Sequence, residues 1–149
     1  MDPAGGQERT PVITGSCLCG EVRLRITGKL GPAGFCHCSQ CRKANGSAFA
    51  SNAPVRARYL EIAAGRERIR EFESSPGKFR AFCSRCGSPV YSRRDTEPEL
   101  LRLRLGLLDG DPGRRPAAHV WVGSKAPWYE ITDALPQFDE GVPPDVTSR

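Results

Sequence analysis

The chain has 149 residues, of which 38% are hydrophobic and 26% are charged. This length is that of one domain, and this apolar share excludes a chain that is disordered throughout. The formal net charge of +5 is mild and does not by itself indicate a nucleic-acid partner. The 16 glycines and 13 prolines are typical of a turn-rich β domain.

The two ends of the chain differ in composition from its middle. Residues 1–10 and 139–149 are polar and contain Gly and Pro, so we predict a flexible tail on each side of one domain at 11–138. No apolar run approaches the roughly 20 residues of a membrane helix, and the N-terminus lacks the features of a signal peptide. We therefore expect a cytoplasmic protein with no membrane segment.

Alternation of apolar and polar residues predicts several short strands. Residues 22–26 place three apolar side chains on one face and Arg23 and Arg25 on the other, and residues 101–105 repeat this pattern. We expect the apolar side chains to face the core and the arginines to face solvent. Further strands are predicted at 47–55, 59–63, 78–82 and 119–122. No window has a long helical period, so the predicted fold class is mainly β, with short antiparallel strands.

The seven cysteines fall into three groups with metal-ligand spacing. An odd number cannot pair fully into disulfides, and a cytosolic chain keeps its thiols reduced. A C-x-x-C turn lets two sulfurs converge on one metal ion, and a C-x-C pair on an extended chain points both sulfurs to the same side. The groups are Cys17-Leu18-Cys19, Cys36-His37-Cys38-Ser39-Gln40-Cys41 and Cys83-Ser84-Arg85-Cys86, the last followed by Gly87.

These groups divide naturally into a set of four and a set of three. Two pairs complete a four-thiolate tetrahedron, the closed site of a structural zinc, whereas three thiolates leave one position open, as a catalytic site requires. The contiguous triplet is the economical choice for the open site. The predicted ligands are therefore Cys36, Cys38 and Cys41 at the open site and Cys17, Cys19, Cys83 and Cys86 at the closed site.

Spacing alone leaves a second interpretation of the triplet open, in which it is purely structural and is completed by His37 or by an outside carboxylate. On a strand, the His37 side chain would point away from those of its two neighbours. We expect it to be exposed, or to lie next to the ligands rather than to be one of them. A thioredoxin-type redox role for Cys83 and Cys86 is disfavoured, because no βαβ pattern surrounds them.

The charge of a three-thiolate zinc site indicates the kind of chemistry. Three thiolates and Zn²⁺ carry a single net negative charge, which makes the metal a weak Lewis acid and a poor activator of water. Such a site is better suited to binding a further thiol as a nucleophilic thiolate. The spacing therefore favours thiol chemistry over hydrolysis.

At these motifs the sequence resembles the glutathione-dependent formaldehyde-activating (GFA) family, which also includes centromere-protein-V-like proteins. The similarity runs from about Gly15 to Phe138 and includes all seven cysteines. The matching segments are residues 15–22 (GSCLCGEV), 36–43 (CHCSQCRK), 46–49 (GSAF), 82–87 (FCSRCG), 119–122 (HVWV), 125–128 (KAPW) and 135–138 (LPQF).

The resemblance implies a single zinc-binding domain of the β-tent type with two Zn²⁺ ions per chain. It implies a structural zinc on the two cysteine pairs and a catalytic zinc on Cys36, Cys38 and Cys41, in agreement with the spacing. In the family's named reaction, glutathione and formaldehyde combine to give S-hydroxymethylglutathione, and the enzyme is classed as a carbon–sulfur lyase. The implied partners are a small thiol, glutathione or an analogue, and an aldehyde.

Five residues near these motifs receive structural expectations. Trp121 is expected in the core because it alternates with two valines, and Trp128 is expected to pack on the sheet. His119 is expected to be a buried histidine whose hydrogen bonds are satisfied. Arg42 and Lys43, the cations nearest the triplet in sequence, are expected to be solvated or to balance the charge of the zinc site.

Two classes of function therefore compete. The first is a zinc-dependent carbon–sulfur lyase that acts on a thiol and an aldehyde. The alternative is a non-enzymatic zinc-binding module whose basic face binds nucleic acid or an acidic protein, and a weaker third hypothesis is a redox module that releases zinc on oxidation. The open triplet and the resemblance favour the enzyme. The sequence leaves the oligomeric state open, with a homodimer as one option.

Overall fold

The computed structural model describes residues 12–143. The predicted tail at 1–10 and the last six residues of the predicted tail at 139–149 lie outside this range. The described range contains one short α-helix, α1 (Ser39–Asn45), and four single 3-10 turns. Its ten strands are β1 (Ile13–Ser16), β2 (Arg23–Ile26), β3 (Ala33–Cys36), β4 (Ala50–Arg56), β5 (Leu60–Ala64), β6 (Ile69–Ser75), β7 (Lys78–Cys83), β8 (Pro89–Arg94), β9 (Leu100–Arg104) and β10 (Pro116–Val120).

The strands form two sheets. The smaller sheet has the order β1-β2-β5, and the larger has the order β10-β3-β4-β9-β8-β7-β6. All strand pairs are antiparallel except β10 with β3, which is parallel. This arrangement confirms the mainly β class with short antiparallel strands. Within residues 12–143, no helix has the length and apolar character needed to cross a membrane.

The hydrophobic core draws its side chains from both sheets. On β2, Leu24 and Ile26 are buried while Arg23 and Arg25 are exposed, which confirms the alternation predicted for this strand. The buried cluster consists of Cys17, Val22, Leu24, Ile26, Leu30, Ala33, Ala53, Val55, Cys83, Val90 and Leu103. Two members are cysteines of the predicted closed site, so that site is continuous with the core.

Strand β9 departs from the prediction that both of its arginines face solvent. Leu103 enters the core as expected, but Arg104 is only 4% exposed. The side chains of neighbouring strand residues point to opposite faces, so Arg104 lies on the face of the large sheet opposite Leu103. There Asn52, its partner on β4, accepts a hydrogen bond from Arg104 Nη1 at 2.5 Å. The expectation of a solvated Arg104 is wrong because this face is also covered.

The predicted strand at 119–122 ends at Val120. Trp121 has a left-handed backbone with φ 58°, which breaks the alternation and opens a 3-10 turn. Its side chain is 40% exposed, so the core position predicted for Trp121 is wrong. Trp128 is 70% exposed, so the predicted packing of its side chain on the sheet is also wrong. The backbone around Trp121 is held by the carbonyl groups of Asp139 and Glu140.

Two glycines with positive φ offer a matched test of the packing. Gly65 has φ 80°, and a Cβ there would meet the carbonyl group of Glu21, whereas Gly46 has φ 61° and open space around it. We expect Gly46→Ala to cost about 1 kcal/mol from backbone strain alone. We expect Gly65→Ala to cost about 3 kcal/mol, because overpacking is added to the strain. Denaturant unfolding of both variants measures the two losses in the free energy of unfolding. Equal losses would contradict the close approach of Gly65 to the backbone of Glu21.

Candidate metal centres and the surrounding site

The first centre forms where two similar turns meet. Cys17 and Cys19 lie in the turn that follows β1. Cys83 is the last residue of β7, and Cys86 lies in the turn between β7 and β8. The four Sγ atoms lie within 4.8 Å of one another. The sequence-based prediction placed Cys17 and Cys19 on an extended chain, but the structure places them in a turn. Gly20 and Gly87 close the two turns, both with φ 81°.

Donors around this group are directed at sulfur. The backbone N–H of Val22 donates to Cys17 Sγ at 3.3 Å. A hydrogen bond with Ser88 Oγ, 3.3 Å from Cys86 Sγ, lowers the pKa of the Cys86 thiol to about 5. Ser88 Oγ also accepts a hydrogen bond from the backbone N–H of Leu18, which joins the two turns directly. Four converging sulfurs with such donors match the closed tetrahedral set that binds structural zinc.

The second centre is built from one short segment. Cys36 ends β3, Cys38 is the N-cap of α1, and Cys41 lies in its first turn. The N-cap position points the Cys38 sulfur at the start of the helix, where it accepts a hydrogen bond from the Cys41 backbone N–H at 3.3 Å. The three Sγ atoms lie within 4.8 Å of one another. Among the described residues, no histidine or carboxylate joins this group.

The three thiols cannot all ionise independently at this separation. Hydrogen bonds from Cys36 and Cys41 hold the pKa of Cys38 well below its usual range. The same contact with Cys38, together with that to Cys41, raises the pKa of Cys36 far above its usual range. Like charges at short range oppose each other, so a divalent cation is needed to hold three thiolates together. A donor set of three sulfurs fits zinc with one position left for another ligand.

Three buried cations surround this centre. Arg80 on β7 donates from Nη1 to Cys41 Sγ at 3.6 Å and from Nη2 to Gln40 Oε1 at 3.3 Å. Lys78, two residues earlier on the same face, is 8% exposed, and burial lowers its pKa to about 8. Arg104 completes the set from β9. Arg42 and Lys43, the cations nearest the triplet in sequence, are not members of this set, and Lys43 is exposed, as one of the two expectations for it stated.

Two buried imidazoles, of which one belongs to the triplet segment, form a hydrogen-bonded chain. His119 Nε2 lies 3.0 Å from the Asp133 carboxylate, and His119 Nδ1 lies 2.8 Å from His37 Nε2. Because a carboxylate only accepts, His119 donates to Asp133 and accepts from His37, which leaves His37 Nδ1 as a buried acceptor with no partner among the described residues. This confirms the buried, hydrogen-bonded His119 that was predicted.

His37 itself is fully buried, which excludes the exposed position and leaves the other expected one, next to the ligands. It lies next to the triplet in sequence but outside the sulfur group, and burial lowers its pKa. Its backbone N–H donates to the carbonyl group of Val120 at 2.9 Å. This backbone hydrogen bond and the imidazole chain together hold the segment that carries Cys36 and Cys38. Asp133, which ends the imidazole chain, was not predicted from the sequence.

An open cleft of about 430 Å³ lies beside the first centre. Cys17, Leu18 and Ser88 of the first centre line one side. Asn45 and Phe49, which follow α1, line another side together with Arg104. Cys36, Cys38 and Cys41 do not line this cleft, but the charge of Arg104 interacts with all three. A larger cleft of about 500 Å³, lined by Lys29, Arg58 and Glu97 among others, contains no cysteine.

Comparison with known proteins places this arrangement in a family. The family model described as "Glutathione-dependent formaldehyde-activating enzyme" matches residues 12–124. A Halomonas elongata protein named "Putative glutathione-dependent formaldehyde-activating enzyme" is 35% identical over 129 residues, which cover 80% of this chain and 81% of the relative. The chain therefore belongs to the GFA family, as its motifs predicted.

The fold also has a counterpart among solved structures. A crystal structure of a Rhodobacter sphaeroides protein superposes with a TM-score of 0.57 and 26% sequence identity. The match covers 69% of this chain and 97% of the other chain. The shared part thus spans nearly all of that protein.

The two centres are expected to differ in their contribution to stability. The four-sulfur group joins segments about sixty residues apart, whereas the triplet lies within one short segment. We expect Cys83→Ser to lower the melting temperature of zinc-supplemented protein by about 10 °C or more. Cys38→Ser should lower it by less than half as much. Differential scanning calorimetry of both variants tests this, and a larger loss in Cys38→Ser would contradict it.

Proposed function

We propose that this protein is a zinc-dependent carbon–sulfur lyase that combines glutathione with formaldehyde to form S-hydroxymethylglutathione. The observation that carries this proposal is the group formed by Cys36, Cys38 and Cys41, whose three sulfurs converge without a fourth ligand among the described residues. The family match and the name of the Halomonas elongata relative support the choice of thiol and aldehyde.

The two cysteine groups fit different roles for zinc. Cys17, Cys19, Cys83 and Cys86 offer a complete tetrahedral set, which supports one structural ion. The triplet would hold a second ion with one position free. Zinc at such a position lowers the pKa of a bound thiol and keeps it as a thiolate at neutral pH.

The reaction requires a thiolate, a positioned aldehyde and one proton. The substrate thiol releases its proton, and the sulfur attacks the formaldehyde carbon. A C–S bond forms, the C=O π electrons move to oxygen, and that oxygen takes a proton from solvent, so the adduct is neutral at its new hydroxyl group. The cleft that Arg104 lines offers space for the part of the thiol substrate that extends away from its sulfur.

Two further observations bear on the setting of this activity. All seven cysteines are free, which supports a reducing location such as the cytoplasm. Some exposed arginines pair with carboxylates, as in Arg25 with Glu61 and Arg115 with Asp111, which lowers the charge available to a basic face for nucleic acid.

The triplet is tested by replacing one of its sulfurs. We expect Cys38→Ser to lower the rate of S-hydroxymethylglutathione formation by about a hundredfold or more, because a hydroxyl group replaces a thiolate ligand. Exchange NMR of glutathione and formaldehyde measures the rate above the uncatalysed background. Ser39→Ala is the matched control, since Ser39 is the exposed neighbour of Cys38 and should retain the rate. Full activity in Cys38→Ser would refute the proposed site.

A further inference from the structure

Three cations are buried on one face of the large sheet without an acidic partner. Lys78, Arg80 and Arg104 are 8%, 9% and 4% exposed. Within residues 12–143, none of the three forms an ion pair with a carboxylate. Buried charges are costly unless they are paired, so this cluster needs negative charge from another source.

Part of that negative charge comes from the triplet. Arg80 donates directly to Cys41 Sγ at 3.6 Å, and Lys78 and Arg104 both interact electrostatically with the same sulfur. Three thiolates and one divalent ion carry a single negative charge, and a bound substrate thiolate adds a second. The three buried cations exceed this by one, so one more anionic group would balance these three cations.

Arg104 is the member of this cluster with capacity to bind that group. Its Nη1 donates to Asn52 Oδ1 and to the carbonyl group of Arg102, at 2.5 and 3.4 Å. Its Nε is buried and has no hydrogen-bond partner among the described residues. Arg104 also lines the cleft of about 430 Å³. A guanidinium that lines a cleft and has one donor without a partner is suited to a carboxylate.

We propose that Arg104 is the centre of an anion subsite beside the triplet, and that this subsite binds a carboxylate of the thiol substrate. Arg80 and Lys78 supply the remaining positive charge, and Arg80 also orients Cys41. The proposal rests on the proposed function, because it takes the triplet as the site of the substrate sulfur. It makes Arg104 a residue that selects carboxylate-bearing thiols such as glutathione.

The test compares two thiols that share one peptide skeleton, one with free carboxylates and one with both carboxylates esterified. Isothermal titration calorimetry of zinc-loaded protein measures the dissociation constants of glutathione and of glutathione diethyl ester, whose carboxylates are blocked. We expect the ester to bind wild-type protein about tenfold more weakly or worse, since a charge-assisted pair is lost. Arg104→Gln should bind glutathione as weakly as the ester and should leave the affinity for the ester unchanged.

Control variants separate the subsite from general electrostatics and from folding. Arg25→Gln removes an equal charge on an exposed strand face and should keep the wild-type preference for glutathione. Arg104→Lys keeps the charge but loses the planar fork, so an intermediate preference is expected. Zinc content and melting temperature report whether each variant folds, and the comparison of the two thiols in wild-type protein needs no variant.

The outcomes distinguish the two proposals. If wild-type protein binds both thiols with equal affinity, or if Arg104→Gln keeps the preference for glutathione, the subsite is refuted while thiol binding at the triplet stands. If Arg104→Gln lowers only the turnover number, Arg104 acts on the reacting oxygen and the subsite is likewise refuted. If wild-type protein binds neither thiol, the proposed function falls and the subsite with it.

Discussion

The meeting of two cysteine turns is the constraint on which the rest of the structure depends. The turn at Cys17 and Cys19 follows the first strand of the small sheet, and the turn at Cys83 and Cys86 follows a strand of the large sheet. Cys17 and Cys83 are buried among the side chains that join the two sheets. A closure of this kind supplements the limited core of a domain made of short strands. The position of the cleft follows from it, since one wall of the cleft belongs to this centre.

The second centre depends on a balance of charge in a covered location. Three neighbouring sulfurs favour thiolate formation only if cations are close, and Arg80 and Arg104 are held close by burial on the same sheet face. The imidazole chain from Asp133 through His119 fixes His37, the residue between two of the sulfurs. The segment is thus positioned by hydrogen bonds on one side and by charge on the other. Both effects act before any substrate binds, which is the preorganisation that efficient catalysis requires.

Local sequence patterns were sufficient to predict the cysteine groups and the exposed face of β2. Cysteine spacing predicted the triplet and each of the two pairs, because ligand convergence within a short segment is a local property. The meeting of the two pairs is a long-range contact that followed only from counting four ligands for a closed site. The alternation at 22–26 was also a reliable signal, since the arginines of β2 do face solvent. The same alternation at 101–105 was misleading for Arg104. A strand pattern shows which residues share a face but not whether an additional layer covers that face.

The remaining site residues depend on contacts between distant parts of the chain. Asp133 lies in an irregular segment, and only the folded chain brings its carboxylate to His119. Trp121 was predicted as a strand residue from its valine neighbours, but its left-handed backbone turns the side chain outward. The buried Lys78 and Arg80 had one local signal, namely two cations at alternate positions of an otherwise apolar strand. That signal becomes informative only when the position of α1 is known.

Native mass spectrometry of zinc-supplemented protein shows whether one chain holds both a closed and an open zinc site. We expect two ions per wild-type chain, one ion in Cys38→Ser, and an added glutathione on the wild-type chain only. A single ion in wild-type protein, or two ions and bound glutathione in Cys38→Ser, would contradict this expectation.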